Sequence, residues 1–179
     1  MSVKGALPSG VVIRPETAED KAAIDHVIAA AFGDGRFSRS VRHLRRASHD
    51  ASLSFVTTLH DEVTGHNKVI GSIRYWPILV GGRTQLLLGP LAVLPEHRGK
   101  GFGKALVAHS LSVAETTSYD FILISGEPDY YPRFGFEPAR QELFLWPGFI
   151  EPERLQIKWL SEDAKTKAPA SAQAILPIL

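Results

Sequence analysis

The segment LAVLPEHRGKGFGKALV, residues 91–107, restricts the possible folds more than any other part of the chain. It passes from a strand pattern at Leu91-Ala92-Val93 to a helical one from Ala105 onward, and Gly99, Gly101 and Gly103 alternate in between. Glycines at a strand-to-helix junction let unpaired backbone N–H groups converge without side-chain obstruction, and such a nest attracts an anion. Arg98, Lys100 and Lys104 add positive charge, which makes a pyrophosphate the natural guest. On spacing alone, a tight turn flanked by solvated basic residues explains the segment equally well.

The surrounding pattern is rich in strands. Residues 68–80 and 84–93 read as a long hairpin, because Gly81-Gly82 supplies the positive φ angles of a two-residue turn. Gly89-Pro90 interrupts its second arm and predicts a bulge or a point where neighbouring strands part, since proline gives no donor to a ladder and glycine weakens one. Upstream, a strand at 11–14 precedes a helix that opens with a capping-box spacing, Thr17 to Asp20, and ends near Gly33. Arginines 36, 39, 42, 45 and 46, with Val41 and Leu44 as apolar partners, predict a second, shorter and basic helix. Strands are expected at 54–59, 121–125, 143–146 and 155–160, a helix at 105–117, and a compact turn at 130–136 closed by Gly135. Early hairpins argue for a mixed α/β fold, with a mostly antiparallel central sheet flanked by helices, and against a doubly wound parallel one.

A length of 179 residues with 44% hydrophobic and 22% charged residues suits one domain, expected over 11–160, with a flexible N-terminus at 1–10 and a loosely attached tail at 161–179 whose apolar end is able to dock. Twenty basic against nineteen acidic residues leave a net charge of +1, which gives no global field for nucleic acid or an acidic membrane surface, so an anion site must be local. No cysteine is present, which removes disulfides, thiolate metal sites and a cysteinyl intermediate. Seven histidines show no ligand spacing, and no metal is expected. The chain shows no signal-peptide pattern and no membrane-length apolar run, which points to a cytoplasmic protein.

The known anion loops separate the options. A Walker loop is absent because Lys104 is followed by Ala105 rather than a hydroxyl residue, and a Rossmann GxGxxG does not fit glycines at 99, 101 and 103 after a hairpin. The acyl-CoA signature [RQ]xxGx[GA] is matched by Arg98, Gly101 and Gly103. LxVxPxxR at Leu91, Val93, Pro95 and Arg98, and YxxxGF at Tyr131, Gly135 and Phe136, extend the match in order and spacing. The chain thus resembles the GNAT (Gcn5-related N-acetyltransferase) superfamily over roughly residues 11–140, and LLLGPLAVLPEHRGKGFG and YYPRFGFEPA are most similar to its bacterial predicted N-acetyltransferase branch.

That resemblance implies the acyl-CoA N-acyltransferase fold, and acetyl-CoA as co-substrate for acetylation of a primary amine by direct attack in a ternary complex. By position it implies that Leu91, Ala92 and Val93 meet the thioester and pantetheine arm, and that Arg98, Gly99, Lys100, Gly101, Phe102, Gly103 and Lys104 surround the pyrophosphate. Tyr131 is the implied general acid for the leaving thiolate, with a packed aromatic as its plainer role, and Tyr130 is read as structural. Some members carry a glutamate on the bulged strand, where this chain has Leu86, Leu87 and Leu88. Glu127 is therefore a candidate base, with Asp129 and His97 as others, although acidic residues beside Pro128 are commonly turn formers. The stripe of Arg36, Arg39, Arg42 and Arg46 on the predicted basic helix is either a solvated face or an attractor for an acidic acceptor. The alternative function is a catalytically silent CoA-binding or regulatory module, favoured by the leucines and opposed by Tyr131. Acceptor identity, acyl-chain length and oligomeric state, a homodimer among the options, are open at this level.

Overall fold

In the computed structural model, which describes residues 7–179, β1 (Val11–Pro15) leads through a 3-10 turn into α1 (Lys21–Phe32). The hairpin strands follow: β2 (Phe55–His60), β3 (Asn67–Val80) and β4 (Arg83–Val93). Next come α2 (Phe102–Ala114), β5 (Phe121–Ser125), β6 (Glu137–Pro138), β7 (Phe144–Leu145), β8 (Leu155–Trp159), α3 (Glu162–Thr166) and β9 (Gln173–Pro177). The sheet order is β1-β2-β3-β4-β5-β8-β6; every neighbouring pair is antiparallel except β4 and β5. Gly81 and Gly82, with φ of 57° and 76°, close the β3–β4 hairpin as their sequence requires.

Alternation along β4 divides the core between the two faces of the sheet. Leu86 and Leu88 join Leu106, Val107 and Leu111 of α2, together with Ile122 and Ile124 of β5. Leu87 turns the other way, into a cluster with Leu123, Phe144, Leu155 and Ile175. Ile24 and Val27 of α1 pack with Val56, Ile70, Ala92 and Leu94. Asp20 closes the entrance to α1 by accepting from the Thr17 amide at 2.8 Å, as the capping-box spacing predicts, and it also binds Arg14.

Two expectations need correction. The basic helix predicted over 36–46 is a pair of 3-10 segments, Asp34–Ser38 and Ser40–Leu44, with Arg39 extended between them (φ −74°, ψ 133°). Val41 and Leu44 are the buried positions of the second, and a spacing of three residues fits one 3-10 turn without continuing helical periodicity. The stretch 161–179, expected to be a loose tail, supplies α3 and β9. Ile175, Leu176 and Pro177 pair with Val80, Leu79 and Ile78, so the apolar end extends the sheet beyond the reach of β2. Of the stretch expected to be flexible, residues 1–6 lie outside the described residues, whereas Leu7 packs on the α1 cluster and the Pro8 carbonyl accepts from Val11.

Candidate functional site

The site begins where the sheet opens. β5 pairs with β4 only at Leu86↔Ile122 and Leu87↔Leu123, so beyond Leu88 the β5-facing edge of β4 has no partner strand among the described residues. On its other edge, β4 shifts register between Tyr75↔Leu88 and Ile73↔Leu91, which sets Gly89 and Pro90 opposite the single residue Arg74. This is the bulge that Gly89-Pro90 predicts. Leu91, Ala92 and Val93 remain bonded to β3 on that side and present an open backbone edge on the other.

A cleft of about 610 Å³ lies along this edge. It brings together Leu91, Ala92 and Val93, the whole loop Arg98, Gly99, Lys100, Gly101, Phe102, Gly103 and Lys104, the last residues of α1 (Ala31 and Phe32), and Tyr130. Gly99 and Gly101 have φ of 75° and 85°, values that L side chains rarely adopt. Gly103 is needed for proximity, because a Cβ there would lie 3.2 Å from the Tyr130 hydroxyl. The first amide of this turn to find a carbonyl is Ala105, which donates to Gly101. Among the described residues the amides of 101–104 donate to no backbone oxygen, and they open the N-terminus of α2 beside Lys100 and Lys104. These open donors fit a diphosphate. Arg98 donates to the Ala31 carbonyl at 2.8 Å, tying the loop to the end of α1. His97 also lines the cleft, and burial holds its imidazole below the usual range.

Tyr131 lies behind this wall. It is buried with Tyr75 and Leu88, its ring centroid 5.0 Å from that of Tyr130 and 5.6 Å from that of Phe136. Gly126 makes room for it, since a Cβ there would come within 2.5 Å of the ring. Its hydroxyl makes no hydrogen bond among the described residues. Burial first, then the neighbouring Tyr130 and Glu127, push its pKa above the usual phenol value. Tyr130, read as structural from sequence, is the tyrosine that lines the cleft; burial raises its pKa too, and Arg133 stacks 4.9 Å over its ring.

A second cleft, of about 620 Å³, is formed by Arg39, Ser40, Val41 and His43 facing Ser125, Glu127, Arg154 and the loop 148–151. Tyr131 feels the charges of three residues of its lining, Glu127, Arg154 and Arg39, so the phenol lies between the two clefts. Glu127 keeps 69% of its side chain exposed and accepts from Arg154 at 2.6 Å. Asp129 is exposed, and the contact it makes is through its backbone carbonyl, to Arg133.

Arg45 belongs to this region, and the sequence marked it only as one of the basic residues of a predicted short helix. The residue is half-buried, and its guanidinium packs on the bulge: a Cβ at Gly89 would lie 2.7 Å from Arg45 Nη2. The Gly89 carbonyl is already taken by Trp76 Nε1 at 2.7 Å, and Arg45 Nε is closed off from solvent with no hydrogen-bond partner. Burial pushes its pKa down to about 10, the Arg39 charge pushes the same way, and Tyr131 opposes them.

Comparison with known proteins gives a consistent result. Residues 52–138 match the acetyltransferase (GNAT) domain family. The chain is 30% identical over 158 residues to a protein of Escherichia coli strain K12 named uncharacterized N-acetyltransferase YhbS, covering 86% of this chain and 90% of that protein. The crystal structure of YhbS from Escherichia coli in complex with CoA superposes with a TM-score of 0.70 at 25% identity, over 94% of this chain and 89% of that one. A GNAT family acetyltransferase from Brucella melitensis in complex with acetyl-CoA gives a TM-score of 0.65 at 25% identity, over 94% and 96% of the two chains.

Proposed function

This chain belongs to the GNAT family of N-acetyltransferases, and from that premise we propose that it transfers the acetyl group of acetyl-CoA to a primary amine by direct attack, with both substrates held at once. The observation that carries the proposal is the convergence, in one cleft, of the open edge at 91–93 with the unpaired amides at 101–104. An extended, amide-containing pantetheine arm can bond to such an edge as an added strand, and a diphosphate suits the amide cluster. The two similar crystal structures that contain CoA or acetyl-CoA support acetyl-CoA as the co-substrate.

An amine with a reference pKa near 10.4 is neutral in roughly one molecule in 10³ at pH 7, so the site must accept a proton for attack to proceed. Leu86, Leu87 and Leu88 are buried and offer no base on β4. Glu127 takes this role in our reading: its exposed carboxylate, steadied by Arg154, relays the proton to solvent through water. As the nitrogen bonds to the carbonyl carbon and the C–S bond breaks, Tyr131 gives its phenolic proton to the departing sulfur, and the proton that the new amide nitrogen sheds returns through water to the phenolate. Burial keeps the phenol protonated until then, and the same low-dielectric surroundings raise the basicity of the thiolate that receives the proton. The backbone of the parted strand is left to meet the oxyanion.

The leucines on β4 favour one second reading, a CoA-binding module without turnover. Calorimetry with CoA, together with thiol release from acetyl-CoA in a pooled amine library, separates the two. The proposal expects heat with CoA and amine-dependent thiol release; heat without release would establish the silent module, and no heat would remove both. Gly101→Val should abolish the heat, because a branched residue at φ 85° distorts the amide cluster.

A further inference from the structure

We infer that the acceptor is an amine that also carries a carboxylate, and that the Arg45 guanidinium at the β4 bulge binds it. This rests on the acetyl-transfer reading above and specifies the substrate class of the same site.

The argument starts from how the other arginines are treated. Arg74 binds Glu16 through Nε and Nη2 to the two carboxylate oxygens, and Arg14 binds Asp20 through Nη1 and Nη2, both at 2.7 Å. In each case a planar fork meets a planar carboxylate, the geometry for which guanidinium is best suited. Arg45 has the same fork and, among the described residues, no carboxylate. Its Nε lacks any partner, and the charged or titratable groups acting on it are Arg39, a second cation, and the neutral phenol of Tyr131. Removing a cation from water without an anion costs several kcal/mol. A ligand that supplies the anion recovers that cost and gains a charge-assisted pair in a poorly hydrated place.

Position specifies which ligand this is. Nη2 rests on Gly89, two residues before Leu91, and Tyr131 is close enough to act electrostatically on Arg45. A carboxylate held by this fork would place an attached amine beside the bulge and the phenol, where an acetyl group on the 91–93 edge would be presented. The second cleft, whose lining includes Arg39, the cation that acts on both Arg45 and Tyr131, is the entry this reading assigns to the acceptor. Arg39 and Arg154 in that lining are balanced by Glu127 and Glu151, so one negative charge on the acceptor matches Arg45 better than two.

The test uses matched pairs of amines, each an amino acid with a single carboxylate beside its carboxamide, such as β-alanine with β-alaninamide and glycine with glycinamide. Wild-type protein should acetylate the preferred acid at least about 10-fold better than its amide in kcat/KM, a modest share of what a poorly hydrated charge pair can supply. Arg45→Met should reduce that preference to within about 2-fold while leaving the heat of CoA binding intact, and Arg45→Lys should retain part of it. Because replacing an unpaired buried cation by an apolar side chain is often neutral or stabilising, Arg45→Met should also keep or raise Tm. Equal use of acids and amides, a preference that survives in Arg45→Met, a preferred phosphate-bearing amine, or a large fall in Tm of the variant would each overturn the inference. If CoA binds and no pair is acetylated, malonate added to the CoA-saturated protein decides: a Tm rise in wild type that is absent in Arg45→Met supports the anchor, and equal shifts overturn it. Loss of CoA heat in wild type would instead defeat the acetyl-transfer reading, and the anchor with it.

Discussion

The entrance to α1 and the bulge of β4 treat a buried arginine in opposite ways. At the entrance, Arg74 and Glu16 keep only 11% and 8% of their side chains exposed and satisfy each other through two hydrogen bonds, and the more exposed Arg14 meets Asp20 in the same two-bond geometry. At the bulge, Arg45 is placed against Gly89 with no anion and one nitrogen unsatisfied. Identical side chains therefore do different work. The first region uses charge pairs to fix where β1, β3 and the start of α1 meet, whereas the second leaves a cation uncompensated beside the open edge of the sheet, as suits a group reserved for a ligand.

The largest effect expected from this contrast is in thermal stability. Arg74→Met would strand the Glu16 carboxylate in a buried position, with only His49 at 3.4 Å as a neighbour of opposite potential charge. Burial lowers the pKa of that imidazole, which leaves it a poor replacement cation. Breaking a buried pair from one side costs about 3–5 kcal/mol, on the order of 10 °C in Tm for a domain of this size. Arg45→Met, measured in the same melts, should show no such loss. Equal destabilisation by both substitutions would erase the distinction between the two regions.

Legibility in the sequence follows the range of the interactions. The glycine loop, the bulge at Gly89-Pro90 and the Gly81-Gly82 turn were readable because each is a local demand on backbone conformation, met by residues adjacent in the chain. Docking of β9 was only partly readable. Composition marked 175–179 as apolar, but pairing with Val80 and Leu79 depends on β2 pairing with β3 only as far as Ile73 and leaving the rest of that edge vacant. Arg45 was hidden for the same reason. A run of basic residues at 36–46 does not show which arginine lacks an anion until the fold pairs Glu16 with Arg74, 58 residues away, and sets Arg45 against Gly89. Tyr130 and Tyr131 show the limit of a motif, which names the matching position but not which ring faces which cleft.

That pair of tyrosines gives the next effect in size. Tyr131→Phe removes the phenol we propose as proton donor, whose hydroxyl has no partner among the described residues, so kcat should fall on the order of 10² with CoA affinity nearly unchanged. Tyr130→Phe removes the hydroxyl that packs against Gly103 in the cleft we propose for CoA. Its effect should appear in CoA affinity and remain within a few-fold in kcat. Exchange of the two phenotypes would transfer the proton-donor role to Tyr130 and bring the chemistry onto the cleft wall.

The smallest effect sharpens the paired side of the contrast through pH. Hydrogen bonds from Arg14, and then from the Thr17 backbone and hydroxyl, outweigh desolvation and hold the Asp20 pKa at about 2, against an ordinary value of 3.8. The folded state therefore resists protonation that the unfolded chain accepts, so this carboxylate contributes its full stability above about pH 4 and loses it progressively as pH falls toward 2. Urea midpoints for wild type should decline across that window. Asp20→Asn should start lower at pH 7, since it gives up the charge pair with Arg14, and should decline less from pH 4 to pH 2, with a net change smaller than that caused by Arg74→Met. If the variant and wild type lose stability in parallel over that window, the acid sensitivity arises elsewhere, and the Arg14–Asp20 pair does not hold the start of α1 in the way its geometry implies.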